Sequence, residues 1–256
     1  MKLEHWIDPR WLEPATRREL AARFAVDPQD SLAIDGLLRP DRLEGLRRLF
    51  TVEGRFVEEF CRKAQADDPS RQEVAVSEES FRSLPEEQRA SVEALLAGPM
   101  PGFELGRGML CHLGFSVLLN SPEFHAFLES VTGIEPGEVL GVMTRRFGPG
   151  HFLTPHSDST DGRRLCAVFY VSDGWQPAYG GRFRHYPGTG DPVEVAPLGN
   201  RLLLFRPLPH RVHDVEMLSP AAGGWRRCAY TIWYGRKEEK AEPATGAGRS
   251  PDVSAS

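Results

Sequence analysis

The sequence predicts a mainly β protein with flanking helices, an α+β chain whose helices come first. Two observations predict it. Before Gly133, apolar residues recur at helical spacing behind serine- and proline-marked starts. After Glu138, eight short apolar or alternating runs follow one another, separated by glycine- and proline-rich turn signals. Short strands at near-regular spacing indicate a sandwich or jelly roll.

Taken in order, Glu13 to Phe24 is charged and alanine-rich and reads as a helix. Ser31 to Leu38 is a short apolar run and reads as a strand. Arg39-Pro40-Asp41 then opens a helix with leucines at 43, 46 and 49, and Ser77 to Ala97 is a further helix candidate. Ser121-Pro122-Glu123 supplies an N-cap, a proline at the first helical position and an acid in the first turn, and Gly133 ends that helix. The extended runs are 138–147, 152–156, 165–172, 181–186, 192–195, 201–205, 212–218 and 227–234. From Lys237 onward the chain is polar, rich in Ala, Gly, Ser and Pro, and without period, which reads as a disordered tail. The expected organisation is a mainly helical part over 1–137 packing on a β core over 138–236, then a tail over 237–256.

Composition narrows the function. A chain of 256 residues with 31 Lys and Arg against 36 Asp and Glu carries a formal charge of −5. That gives no electrostatic case for nucleic acid or an anionic membrane as partner. Four cysteines (Cys61, Cys111, Cys166, Cys228) are widely spaced with no Cys-x-x-Cys pair, which argues against a zinc ribbon and for a reducing compartment. No run of about 18 apolar residues exists, so no membrane span is expected. The N-terminus lacks the apolar core of a signal peptide. The expected location is cytoplasmic.

The residues best suited to chemistry are His156 and Asp158. Two positions apart in an extended segment, they project to the same face, and Pro155 keeps the approach extended. An imidazole and a carboxylate side by side can hold two adjacent positions of a metal ion; a later histidine would complete the two-histidine, one-carboxylate triad that suits non-heme Fe(II). On the local sequence alone the same two residues could simply cap a loop and a turn. The distal candidates are His210 and His213, whose odd separation puts them on opposite faces of a regular strand. Residue periodicity leaves both open, with Asp214. Downstream, Arg226 and Arg227 also face opposite sides, and an inward guanidinium near a metal would grip a carboxylate with two parallel hydrogen bonds. His151 reads as a surface loop, His185 with Tyr186 as a sheet-surface pair. Phe169, Tyr170, Trp175, Trp233 and Tyr234 read as core. His5, His112 and His125 read as structural.

Several pieces then fall into one order: Phe147-x-x-Gly150-x-Phe-Leu153-x-x-His156-x-Asp158; Arg164 to Tyr170 with Trp175; Gly180-Gly181-Arg-Phe; Pro197 to Phe205; His210-x-Val212-x-x-Val215; and Arg227 with Trp233 six residues later. Upstream, Leu32 to Pro40 looks like the lead-in of the same set. Together they resemble the 2-oxoglutarate and Fe(II)-dependent oxygenases, in particular the prolyl-4-hydroxylase-like branch, over roughly 31–236. The resemblance implies a double-stranded β-helix of about eight strands, a cupin-like jelly roll with Fe(II) at its open mouth. It implies His156, Asp158 and His210 as metal ligands and Arg227 as the residue that binds the far carboxylate of 2-oxoglutarate. It implies O2 as the second cosubstrate, ascorbate as reductant, and hydroxylation of an unactivated C–H bond with release of succinate and CO2. Related halogenases replace the carboxylate ligand with a small residue, so Asp158 points to hydroxylation. The implied substrate is a prolyl residue in a protein or an amino-acid-like small molecule.

Two departures stand out. Phe147 occupies a place where many relatives carry a tyrosine that helps hold the cosubstrate, leaving Thr144 or Arg145 as the expected substitute. Ser219 to Gly224 lengthens the interval before Arg227. If that stretch is a loop the strand register survives, and otherwise Arg226 becomes the partner. Two other classes share part of the pattern. One is a cupin-like metal enzyme without 2-oxoglutarate, against which Arg227 argues. The other is a non-catalytic binding module, against which the intact ligand set argues.

Overall fold

In the computed structural model, which describes residues 2–62, 74–85, 88–95, 105–159 and 162–236, helix α1 spans Pro14–Val26 and buries Leu20 and Phe24, one turn apart on one face. Strand β1 (Ser31–Asp35) buries Leu32 and Ile34 by alternation and stops at Gly36, whose φ of 67° turns the chain out of the extended region. Helix α2 (Pro40–Arg48) starts on the anticipated proline and buries Leu43 and Leu46. Leu49 continues the apolar stripe into a single π-turn over Leu49–Glu53.

The next stretch departs from expectation. Two unanticipated strands follow, β2 (Phe56–Arg62) and β3 (Val74–Ala75). Of the helix expected over Ser77 to Ala97, only α3 (Glu78–Ser83) is helical, capped by the Ser77 hydroxyl, which accepts from the Ser80 N–H. Pro85 disfavours helix at Leu84, and the chain resumes as strand β4 (Arg89–Leu95), paired with β2 at seven positions. Long-range pairing here overrides a local helical reading. Residues 86, 87, 96 and 97 of that expected helix lie outside the described residues. Helix α4 (Arg107–Leu119) was not anticipated. Helix α5 (Pro122–Thr132) is capped as read: Ser121 Oγ accepts from the Phe124 N–H, and Gly133 takes a left-handed φ of 69°.

All eight extended runs after Glu138 are strands: β5 (Glu138–Phe147), β6 (Leu153–His156), β7 (Arg163–Tyr170), β8 (Phe183–Tyr186), β9 (Val193–Val195), β10 (Arg201–Phe205), β11 (Val212–Val215) and β12 (Arg227–Gly235). They form two antiparallel sheets. The larger runs β1-β10-β7-β12-β5-β4-β2-β3 and the smaller β6-β11-β8-β9. The larger sheet does not respect a boundary at 138: β1 pairs with β10 and β4 with β5, so the first part of the chain extends the core sheet at both edges as well as covering it. The expected tail over 237–256 lies outside the described residues.

Strand β12 separates two apolar layers. On one face, Tyr230, Ile232 and Tyr234 pack with Leu46, Leu118 and Phe127 under the helices. On the other, Ala229 and Trp233 pack with Phe183 and Phe205 between the two sheets. This period-two alternation aims Arg227, Ala229, Thr231 and Trp233 into the space between the sheets. None of the four cysteines forms a disulfide. No helix among the described residues is long and apolar enough to cross a membrane.

Candidate active site

His156 closes β6. Its Nδ1 lies 2.7 Å from the Thr154 carbonyl oxygen. A carbonyl only accepts, so Nδ1 carries the proton and Nε2 keeps its lone pair for a ligand role. Asp158, 5% exposed, follows two residues later. The third member of the cluster is His213, not His210. On β11, His213 stands opposite His156 in register, its Nε2 3.4 Å from Asp158 Oδ2 and its Nδ1 3.3 Å from the Arg211 carbonyl. One ligand atom from each of His156, Asp158 and His213 lies within 4.8 Å of the others.

His210 is exposed in the turn before β11, which begins only at Val212. The expected assignment is therefore corrected by three residues, and the reason is visible in the chain. The pattern His-x-apolar-x-x-apolar occurs in two overlapping frames, from His210 through Val212 to Val215 and from His213 through Val215 to Leu218. In the second frame Val215 and Leu218 are both buried, at 4% and 0% exposure. Asp214 points away and is consumed by Arg184, which donates to both its oxygens at 2.8 and 2.6 Å, and by the Tyr186 hydroxyl at 2.6 Å.

The surroundings prepare the three groups to bind a cation. Burial pushes the Asp158 carboxyl up, but the hydrogen bond and charge of His213, together with His156, outweigh it and hold the carboxyl far below the usual carboxylate range. The Trp233 indole N–H adds to that pull. Arg163 donates to Asp158 Oδ1 at 3.2 Å and the Cys166 thiol approaches Oδ2 at 3.7 Å. Burial, and secondarily His213, lowers the His156 imidazole to about 4, so it stays neutral near pH 7. Two imidazoles and one ionised carboxylate, each oriented by a backbone carbonyl or a guanidinium, are a donor set that fits Fe(II).

These groups open onto a cavity of about 490 Å³. Arg227 lies in its wall, 3% exposed; its Nε donates to the Gly181 carbonyl at 3.0 Å and its guanidinium sits 5.0 Å from the ring centres of both Phe147 and Tyr170. No acid pairs with it among the described residues. Gly181 permits this approach: at φ 75°, a Cβ there would meet Leu218 Cδ1 at 2.9 Å and Arg227 Cδ at 3.4 Å. Arg226 faces the other way, its Nη1 donating to the Gly223 and Trp225 carbonyls. Thr144 points away from the cavity, opposite Tyr230 on the helix-covered face. Arg145 does line the cavity but is held by Glu59 at 2.9 Å.

Other residues differ from their sequence reading. Tyr170 is core as expected, but its hydroxyl is buried beside the Arg227 guanidinium. His185 is not a surface residue: it is 1% exposed and stands opposite His213 on β8, so His156, His213 and His185 lie abreast across three strands. His151 is half-buried, with Nδ1 accepting from the Gly148 N–H at 3.1 Å. Strand β2, wholly unanticipated, contributes Glu58, Glu59, Phe60 and Cys61 to the cavity.

Residues 142–235, which span these strands and all three clustered side chains, match the family model of the 2OG-Fe(II) oxygenase superfamily. The similarity covers this segment of the chain, which holds the clustered side chains. Among curated proteins, a prolyl 3-hydroxylase of Xenopus laevis, OGFOD1, is 26% identical over 119 residues, or 44% of this chain and 23% of the relative. The chain therefore spans about a quarter of that protein's length. Among solved structures, a prolyl-4-hydroxylase of Pseudomonas putida matches with a TM-score of 0.53 at 18% identity, covering 87% of this chain and all of the other. A prolyl hydroxylase of Trichoplax adhaerens, solved with a hypoxia-inducible-factor peptide, matches with a TM-score of 0.54 at 18% identity, covering 87% and 90%. At these identities the likeness shows a shared fold.

Proposed function

We propose that this chain is an Fe(II)- and 2-oxoglutarate-dependent dioxygenase that hydroxylates an unactivated C–H bond of a prolyl residue in a protein or peptide. One observation carries the reading. The His156–Asp158–His213 cluster and a buried arginine without an acid partner open onto the same cavity. The prolyl hydroxylases among the similar proteins supply the substrate class.

In this reading, His156, Asp158 and His213 would hold Fe(II) beside the cavity that would admit cosubstrate and O2. Bound Fe(II) supplies the centre at which O2 is activated as 2-oxoglutarate is decarboxylated. Arg227 receives the far carboxylate of 2-oxoglutarate, and the Tyr170 hydroxyl stands ready to share it, in place of the contact that Phe147 does not make. Arg163 and Cys166 hold Asp158 in its ligating orientation. Trp233, Val168 and Phe205 keep the metal side of the cavity apolar and exclude water. The balance is one 2-oxoglutarate, one O2 and one C–H bond converted to succinate, CO2 and an alcohol. Ascorbate serves as reductant, and a reducing cytoplasm suits four cysteines that form no disulfide.

The test is incubation with Fe(II), 2-oxoglutarate and ascorbate while succinate is followed. Succinate release that depends on both Fe(II) and 2-oxoglutarate is the expected result. Iron binding without affinity for 2-oxoglutarate would turn the reading toward a cupin-like metal enzyme. Failure to bind metal at all would leave a non-catalytic module.

A further inference from the structure

Strand β12 and the turn before it have a second, unassigned side. Arg226 and Cys228 alternate with Arg227 and Ala229 and line a separate cavity of about 580 Å³. Helix α2 and the π-turn after it bring Arg47 and Phe50 to this cavity, β5 brings Arg146, and the loop after β7 brings Val171 to Asp173. None of these residues lines the cavity beside His156, Asp158 and His213.

The charges that line it do not balance. Three guanidinium groups, of Arg47, Arg146 and Arg226, meet two carboxylates, of Glu93 and Asp173. Glu93 is committed, accepting from Arg146 Nε at 2.7 Å. Glu58, opposite Glu93 on the next strand, does not line this cavity. Asp173 lies 3.4 Å from Arg47 Nη2, but its side chain is 77% exposed, so water screens the pair and an incoming anion can displace it. Arg47 Nε donates to the Val171 carbonyl at 3.0 Å, and Arg226 Nη1 donates to the Gly223 and Trp225 carbonyls. Those carbonyls orient the two groups without cancelling their charge. Arg226 meets no carboxylate among the described residues.

Phe50, Val171 and Trp225 make part of the wall apolar, which strengthens the field of the unpaired cations. Guanidinium forks match phosphate oxygens, and a phosphate monoester carries close to two negative charges near pH 7. We propose that this second cavity binds a small phosphate monoester with an apolar or aromatic body, its phosphate held by Arg226 and Arg47. The site is independent of the hydroxylase reading of the first cavity.

The experiment uses full-length protein loaded with Mn(II) and 2-oxoglutarate, titrated calorimetrically with phenyl phosphate and with AMP. Phenol and adenosine are the uncharged controls. At least one phosphate is expected to saturate a single site with a Kd below about 1 mM, at least tenfold tighter than its control. The affinity should fall when salt rises from about 50 to about 300 mM. Arg226→Glu should weaken phosphate binding at least about tenfold and Arg47→Ala at least about fivefold, with Arg226→Lys in between. Should Arg226→Glu fail to fold, Arg226→Lys and Arg47→Ala carry the test. Binding of neither phosphate, or controls that bind equally well, overturns the proposal. So does phosphate binding that Arg227→Ala removes and the Arg226 and Arg47 variants leave intact, because the phosphate would then sit in the metal-side cavity.

Discussion

His156 and His213 face each other across the β6–β11 ladder, their ring centres 4.5 Å apart and tilted by 60°. Both hold Nδ1 against a backbone carbonyl, so both present the same nitrogen to the space beside Asp158. His213→Ala is accordingly expected to cut Fe(II) affinity and Fe(II)-dependent succinate formation by more than about 100-fold. His210→Ala, at an exposed turn, should leave both within about twofold. Iron titration of the two purified variants decides it, and loss of binding in His210→Ala alone would show that β11 is set in the wrong register.

Arg227→Ala is expected to raise the KM for 2-oxoglutarate by at least about tenfold, because a buried bidentate partner of a carboxylate is lost. Arg226→Ala should change it by less than about twofold, its guanidinium being spent on two carbonyls of the neighbouring turn. Steady-state kinetics with varied 2-oxoglutarate reads both. Tyr170→Phe should fall between them, a rise of a few-fold set by one neutral hydrogen bond; an unchanged KM would confine Tyr170 to packing.

Metal should stabilise the fold as well as activate it, since the three ligands come from two strands and the loop that follows β6. At about 100 times its Kd, Fe(II) or a redox-inert substitute contributes about 2.7 kcal/mol, which raises Tm by about 5 °C or more in a chain of this size. Calorimetry with and without a chelator measures the shift. In Asp158→Ala the shift should vanish.

Metal-free protein should lose stability as pH falls below the ordinary imidazole range. His112, stacked on Tyr230 and hydrogen-bonded to its hydroxyl, is lowered by burial. Above an unfolded pKa of about 6.5 both states are neutral; below it the unfolded chain takes up a proton that the native state refuses, so the native state is disfavoured. His156, lowered to about 4, and His185, lowered to about 3, act with the same sign. His112→Phe should therefore narrow, but not erase, the Tm difference between pH 7.5 and 5.5; a difference as large as in the parent would mean that His112 already protonates in the fold.

Much of the site was legible because it depends on period-two alternation within single strands. His156 with Asp158 needed only an extended approach to share a face, whereas alternation alone left Arg227 against Arg226 open until the pairing of β12 with β5 set the inward side. The distal histidine was not legible, because Val212, Val215 and Leu218 satisfy one apolar pattern in two frames and only pairing with β6 chooses between them. His185 resembled a surface residue because β8 is only four residues long. Strand β4 resembled a helix because seven residues carry too few periods to distinguish 3.6 from 2.0. Glu59, which holds the cavity-lining Arg145, could not be found at all. Its place on the cavity comes from β2 joining β4 and β4 joining β5, contacts far apart in the chain.

The alternation along β12 also sets where the gene can tolerate changes of length. Residues added at the exposed Gly223–Gly224 are absorbed by a surface turn and leave both apolar layers in place. A single residue inserted within Arg227–Gly235 would exchange the two sides of the strand beyond it, bringing phenol and aliphatic groups into the cavity and turning Trp233 toward the helices. Length variants with the same net composition should thus divide sharply into active and dead at the Trp225–Arg227 junction.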